Sequence, residues 1–188
     1  RAPQIVHDNP MPATDGLATT DQKFGLNGPK DRFDYKLVGK REMYIPYNSY
    51  KINSGDLKTE DIIKANGRLN QSHTRYELHR VWVVEASLRP GYKHDYSKRV
   101  FYLDEDSWWI TLMDGYDRDG DIWRLQEIHS LMWYDVGFLG STLETQYDMK
   151  ADRMLALNVD NEDDAPDFSV RLKKSYFTPS SIRRRGVR

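Results

Sequence analysis

The stretch from Tyr76 to Leu88 constrains the fold most. Tyr76, Leu78, Trp82, Val84, Ala86 and Leu88 share one parity, and only Arg80 interrupts the row. The other parity carries Glu77, His79, Glu85 and Ser87, continuing from Arg75. Successive side chains of a strand point to opposite faces, so period two over thirteen residues predicts one long strand with one buried face. Arg89-Pro90-Gly91 ends it.

The same alternation recurs along the chain. Tyr35, Leu37, Met43 and Ile45 mark a long strand from Phe33 to Pro46, and Val100 to Leu103 a short one. Asp104-Glu105-Asp106-Ser107 reads as a turn whose side chains bond nearby backbone. Trp108, Ile110, Leu112 and Tyr116 are expected to share a face of the next strand, and Asp119-Gly120 to turn a hairpin. Ile122 to Tyr134 follows, with Trp123, Leu125, Leu131 and Trp133 on one parity. Leu143 to Met149 and Met154 to Val159 complete the row, and Ser169 to Leu172 is a candidate for one strand more. Helix is scarce. Thr59 to Ala65 has an N-cap residue and acids in its first turn, and Thr178-Pro179 reads as a helix start.

Consecutive strands joined by short turns form an antiparallel meander. The expected class is mainly β (α+β): a strongly curved antiparallel sheet or incomplete barrel with few helices. Its domain spans 34–188. Residues 1–33 hold four of the eight prolines and show no sustained period, so they are expected to form an irregular arm. Such an arm, and a first residue that is Arg1 rather than Met, suggest a fragment of a larger domain.

Composition excludes several functions. Lys plus Arg number 28 against 29 Asp plus Glu, without the basic excess of a general nucleic-acid binder. No apolar run exceeds four residues, too short for a membrane-spanning helix. Cysteine is absent, so disulfides, thiolate nucleophiles and Cys-ligated zinc are excluded. The chain shows no nucleophile elbow, phosphate-binding glycine loop or dinucleotide fingerprint. Asp117-Arg118-Asp119-Gly120-Asp121 fails the calcium-loop spacing, because Gly120 falls at position four and Ile128 at position twelve. No cofactor and no metal are expected.

Three features could carry chemistry. Glu127 and His129 fall on one face among apolar residues and could exchange a proton; the bland reading is that both sit at the sheet rim or satisfy each other in the core. Arg80 could meet an anionic head group or form a buried ion pair. All five tryptophans lie between Trp82 and Trp133. They read either as core or as pocket lining for acyl chains or sterol-like rings.

Several strings resemble one family. They are Gly39-Lys40-Arg41-Glu42-Met43-Tyr44-Ile45-Pro46-Tyr47-Asn48, Arg75-Tyr76-Glu77-Leu78-His79-Arg80-Val81-Trp82-Val83-Val84-Glu85-Ala86, Lys98 through Trp108, and Phe177-Thr178-Pro179 with Arg183-Arg184-Arg185. Together they resemble the C-terminal half of a bacterial domain-of-unknown-function family grouped with outer-membrane lipoprotein-sorting proteins, over about Asp34 to Arg185. The resemblance implies a LolA-like lipoprotein-carrier fold, a longer periplasmic protein of the Gram-negative envelope, and acyl-chain binding in work with an envelope lipid transporter. It supplies no catalytic residues, so no enzyme is expected. The expected ligand-binding set is Arg80, Trp82, Val84, Trp108, Ile110, Leu112, Trp123, Leu125, Leu131 and Trp133, lining one concave apolar face. Movement of a covering helix would govern release. The rival readings are an interaction protein that holds no ligand and docks on a transporter or outer-membrane partner, a hydrolase using Glu127 and His129, and a sugar-binding sandwich.

Overall fold

A computed structural model describes residues 12–185. Two short strands, β1 (Pro12–Ala13) and β2 (Ala18–Thr19), form a small hairpin. Seven more make one antiparallel sheet in strict sequence order: β3 (Phe33–Pro46), β4 (Tyr76–Leu88), β5 (Lys98–Asp104), β6 (Ile110–Tyr116), β7 (Ile122–Trp133), β8 (Phe138–Asp148) and β9 (Arg153–Leu157). The helices are α1 (Thr59–Ile62) and α2 (Pro179–Arg185), with single 3-10 turns at Thr20–Gln22, Gln71–His73 and Lys174–Phe177. The expected mainly-β meander is the observed fold.

The sheet is open and curved. Its order runs β3 to β9 without β3 and β9 pairing. Strands lie ~4.8 Å apart, so a flat sheet would hold β3 and β7 about 19 Å apart. Yet Cα atoms of β3 come within 8 Å of both β6 and β7. The sheet therefore curls, with β3 leaning over the middle strands.

The two faces of the curl carry separate cores. The inner one groups Ile45, Tyr47, Val81, Val83, Val100 and Tyr102, with Met43, Leu112 and Leu139 packed against them. The outer one groups Phe33, Ala86, Phe101 and Met113 with Val84, Leu103 and Ile110. The connection between β3 and β4 adds a third cluster, in which Ile52, Ile62 and Leu69 pack on Leu143 of β8.

Because both faces are covered, the buried parity of β4 differs from the sequence expectation. Val81 is fully buried and Val83 nearly so, whereas Leu78 of the expected apolar row is 58% exposed. Arg80 is exposed as well. Only the far end of the row, at Ala86, is buried as expected.

Bulges break the other expected rows. Leu103 pairs with Ile110 while its neighbour Tyr102 pairs with Leu112, which leaves Thr111 as an extra residue. A residue inserted into one strand reverses parity beyond it. Ile110 therefore joins the outer core and Leu112 the inner one. A second shift, between Gly115 and Tyr116, leaves Trp123 as an extra residue on β7 and takes it out of the row with Leu125. Trp108 belongs to no strand: it sits in the turn before β6 at φ 59°, with 66% of its surface exposed.

Residues 14–32, which include β2 and the 3-10 turn at Thr20–Gln22, are tightly pinned to the outer face. Arg99, fully buried on β5, donates to Asp21 (3.1 Å) and to the Gly25 carbonyl. His94 Nε2 also meets Asp21, at 3.1 Å. Gln22 Nε2 donates to Gln146 of β8 (3.0 Å), and the Phe24 amide to Glu144 (2.9 Å). Burial pushes the Asp21 carboxyl up, but His94 and Arg99 outweigh it and hold its pKa far below the usual carboxylate range.

The remaining differences are local. α1 stops at Ile62 because Ile63 pairs with Leu69 instead. Residues 169–172 form no strand. Arg183, Arg184 and Arg185 form the last turn of α2, where cations complement the helix C-terminus. Arg185 stacks on Tyr176 at 3.5 Å.

Candidate functional site: a groove on the inner face

The curl leaves a groove of about 600 Å³ on the inner face. Met43 of β3 lines one side, and Tyr102, Leu112 and Leu125 of the middle strands line the floor. Tyr147 and Met149 close the end near β8, while Arg68 and Gln71 come from the β3–β4 connection. Strand register dictates the pattern. Leu112 pairs with Glu127, and Asp114 with Leu125, so acid and leucine alternate across β6 and β7.

Both acids line the groove, and their hydrogen-bond partners are hydroxyls. Tyr102 Oη donates to Asp114 at 2.7 Å. Tyr76 and Tyr147 donate to Glu127 at 2.8 and 3.0 Å, and Thr145 lies at 3.4 Å. Burial raises the Asp114 pKa above the ordinary value. It pushes Glu127 up too, but His129 and the two tyrosines more than offset it, and the net shift is downward. His129 Nε2 stands 3.7 Å from Glu127. The imidazole is fully buried, and neither ring nitrogen has a hydrogen-bond partner. Arg68 is paired with Asp152.

The ten expected binding residues do not share one face. Leu112 and Leu125 line the groove. Val84 and Ile110 instead line an apolar cleft of about 270 Å³ on the outer face, with Leu26, Tyr35, Phe101 and Leu103. Trp82 and Trp108 stack at 6.1 Å, with Lys40 Nζ 4.2 Å from the Trp82 ring centre. Arg80 pairs with Glu105 at the surface rather than in a buried ion pair. Trp123 donates to Asp148 (3.1 Å) and packs edge-on against Tyr96. Leu131 is buried, and Trp133 packs against Phe168. The single concave row is thus two sets of residues divided by the sheet. Sequence reasoning missed Met43, Tyr102, Asp114 and Tyr147 because the curl, not the alternation, brings them together.

The acidic turns are tied up internally. Asp117 Oδ1 accepts from the amides of Asp119 and Asp121, both at 2.9 Å, and its other oxygen pairs with Lys150. Glu162 accepts from the Thr59 amide and from Lys58, each at 3.0 Å, fastening its loop to α1. His79, Asp104 and Asp106 bring potential ligand atoms within 4.8 Å of one another. However, His79 Nδ1 already meets Asp104 at 2.8 Å, and Nε2 meets Glu77 at 3.4 Å.

A family model described as "Protein of unknown function (DUF1329)" matches residues 1–183. The chain belongs to the DUF1329 family. An uncharacterized protein of Pseudomonas aeruginosa is 48% identical over 189 residues, covering all of this chain and 41% of that protein. This DUF1329 chain thus spans about two-fifths of the length of the curated relative it matches. Among solved structures, a domain from Vibrio parahaemolyticus provisionally described as outer membrane lipoprotein-sorting aligns with TM-score 0.47 and 14% identity, covering 81% of this chain and 49% of that one. A DUF1329 family protein from Desulfovibrio piger aligns with TM-score 0.43 and 15% identity, covering 81% and 48%. Among the described residues, no helix is long and apolar enough to cross a membrane.

Proposed function

We propose that this chain is part of a periplasmic carrier that shelters a hydrophobic ligand, an acyl chain of a lipid or lipoprotein, in the inner groove and works with envelope lipid transport. The groove itself carries the reading. Its 600 Å³ falls within the ~300–1,000 Å³ of ligand pockets. Met43, Leu112, Leu125 and Met149 offer apolar surface there, and two tyrosine rings flank it. Each Å² of apolar ligand surface withdrawn from water would contribute about 25 cal/mol. Gln71 and Arg68 at the rim come from the long connection between β3 and β4, residues 47–75, so that connection is the element whose displacement would admit or release a ligand. The reading is non-catalytic. A general base must come within hydrogen-bond reach of its substrate, and His129 is wholly buried.

The test is native mass spectrometry of the full-length protein, followed by solvent extraction and lipid analysis. An adduct of lipid mass that disappears in a Leu112→Trp/Leu125→Trp double variant, which fills the groove, is the expected result. A clean apo mass after incubation with bacterial lipid extract would end the carrier reading.

A second reading has its own observation. Tyr44, Leu78 and Trp108 are 67, 58 and 66% exposed on the outer side. Contiguous exposed apolar side chains mark interaction surfaces. A transporter or outer-membrane partner could dock there without a ligand being held. Loss of partner pull-down in Trp108→Ser, with lipid adducts unchanged, would favour it.

A further inference from the structure

Glu127 and Asp114 border one groove, and neither forms an ion pair with a lysine or arginine among the described residues. Each is held by tyrosine hydroxyls: Tyr76 and Tyr147 on Glu127, Tyr102 on Asp114. Arg41 and Lys98 act on Asp114 only through longer-range attraction. Lys98 Nζ rests instead over the Tyr116 ring, at 3.9 Å. Arg68, the cation that lines the groove, is bound to Asp152. Asp114 is paired with Leu125, two residues before Glu127 on the same strand, so the two acids are diagonal neighbours on one face. Such neighbours stand about 7–8 Å apart, a separation that one cation can bridge.

Behind Glu127 the polar accounting is also incomplete. His129 is fully buried and neither ring nitrogen makes a hydrogen bond, while Nε2 stands within ion-pair distance of the carboxylate, at 3.7 Å. Buried polar groups are normally hydrogen-bonded. In front, the rings of Tyr102 and Tyr147 line the groove beside the two acids. Tyrosine faces attract cations within ~6 Å, and most strongly where water is excluded. Carboxylates beside tyrosine rings and bordered by Leu112, Leu125 and Met43 make an amphiphilic site whose one lining cation, Arg68, is already paired with Asp152.

We propose that the polar end of the groove is an ammonium site: Glu127 and Asp114, between the Tyr102 and Tyr147 rings, receive the amine or quaternary ammonium of a ligand whose apolar chain lies along Met43, Leu112 and Leu125. This names the ligand class of the same groove and rests on the carrier reading. An anionic head group is disfavoured there, because it would face two carboxylates.

The test compares probes that share one chain and differ in charge. Decyltrimethylammonium, decanol and decyl sulfate are titrated below their micelle concentrations into the full-length protein, with calorimetric readout. The expected order is cation, then neutral, then anion, with at least a tenfold preference for the cation over decanol. Glu127→Gln, which keeps an acceptor for Tyr76 and Tyr147, and Asp114→Asn should each cut that preference several-fold while decanol affinity holds. Equal affinity for the cation and decanol would overturn the ammonium site and leave the carrier reading standing. Tetramethylammonium, the head without the chain, separates the sources. Affinity matching the decyl compound would keep the ammonium site and overturn the carrier reading. Binding of none of the probes would overturn both. The wild-type order decides the question even where a variant fails to fold.

Discussion

His79 is held between two carboxylates, with Asp104 at 2.8 Å and Glu77 at 3.4 Å. Burial alone would lower its pKa, but the two acids outweigh burial and raise it above the ordinary 6.5. A raised folded pKa stabilises the fold fully below the unfolded value. That contribution is then lost as pH rises through the folded value. We expect the His79 ring resonance to titrate above 6.5 in a proton NMR series, and below the wild-type value in Asp104→Asn. Thermal stability should fall as pH rises through that titration in the wild type, and the fall should vanish in His79→Gln.

Asp21 has the opposite sign. Its depressed pKa makes its contribution present above the unfolded value of about 3.8 and lost as pH falls toward the folded one. Removing it leaves Arg99 fully buried without its carboxylate. Breaking a buried pair from one side costs about 3–5 kcal/mol. Asp21→Ala should lower the unfolding free energy from urea denaturation by that amount, whereas Asp34→Ala, which removes an exposed partner of Arg89, should cost under ~1 kcal/mol.

At the scale of elements, the arm is fitted to the outer face through glycines. Gly25 adopts φ +82°, and a Cβ there would lie 2.5 Å from Ile110 Cγ2. Gly115 of β6 allows equally close approach, since a Cβ would meet the Tyr96 ring at 2.7 Å. Overpacking typically costs about 1–3 kcal/mol, so Gly25→Ala and Gly115→Ala should both destabilise by that order. Gly16 also has positive φ, +75°, but nothing lies within 4 Å of its Cβ position. Gly16→Ala should therefore cost only the backbone term, about 1–2 kcal/mol. Limited proteolysis separates the cases: cleavage within 14–32 should accelerate in Gly25→Ala more than in Gly115→Ala, because Gly25 belongs to the arm and Gly115 to β6.

The whole molecule is a sheet protected in its middle and less so at its borders. β3 is mostly exposed along its fourteen residues, and β9 is half-buried at the other edge, while β5 through β8 carry most of the buried side chains. Edge amides without a partner open at low cost, whereas central ladders open only with the global transition. Hydrogen exchange should accordingly find β5–β7 slowest, with the outward amides of β3 and those of β9 orders of magnitude faster. Uniform protection through β3 would show that its edge is covered in solution.

Much of this architecture is written along the chain. The alternation from Phe33 to Pro46 and from Tyr76 to Leu88 marks two strands, and Asp119-Gly120 marks a hairpin, because period and turn chemistry are local properties. Thr178-Pro179 likewise marks the start of α2. Which parity is buried is not local. Val81 and Val83 are enclosed while Leu78 is exposed, since the curl and the covering arm bury both faces in different places. The bulges at Tyr102/Leu103 and Gly115/Tyr116 then move Ile110 away from Leu112 and take Trp123 out of the tryptophan row. By itself the sequence determines strands, turns and their antiparallel order, through periodicity and backbone preference. Only the tertiary structure brings Met43 over Leu112 and sets Glu127 diagonal to Asp114, because long-range curling and register decide which side chains meet.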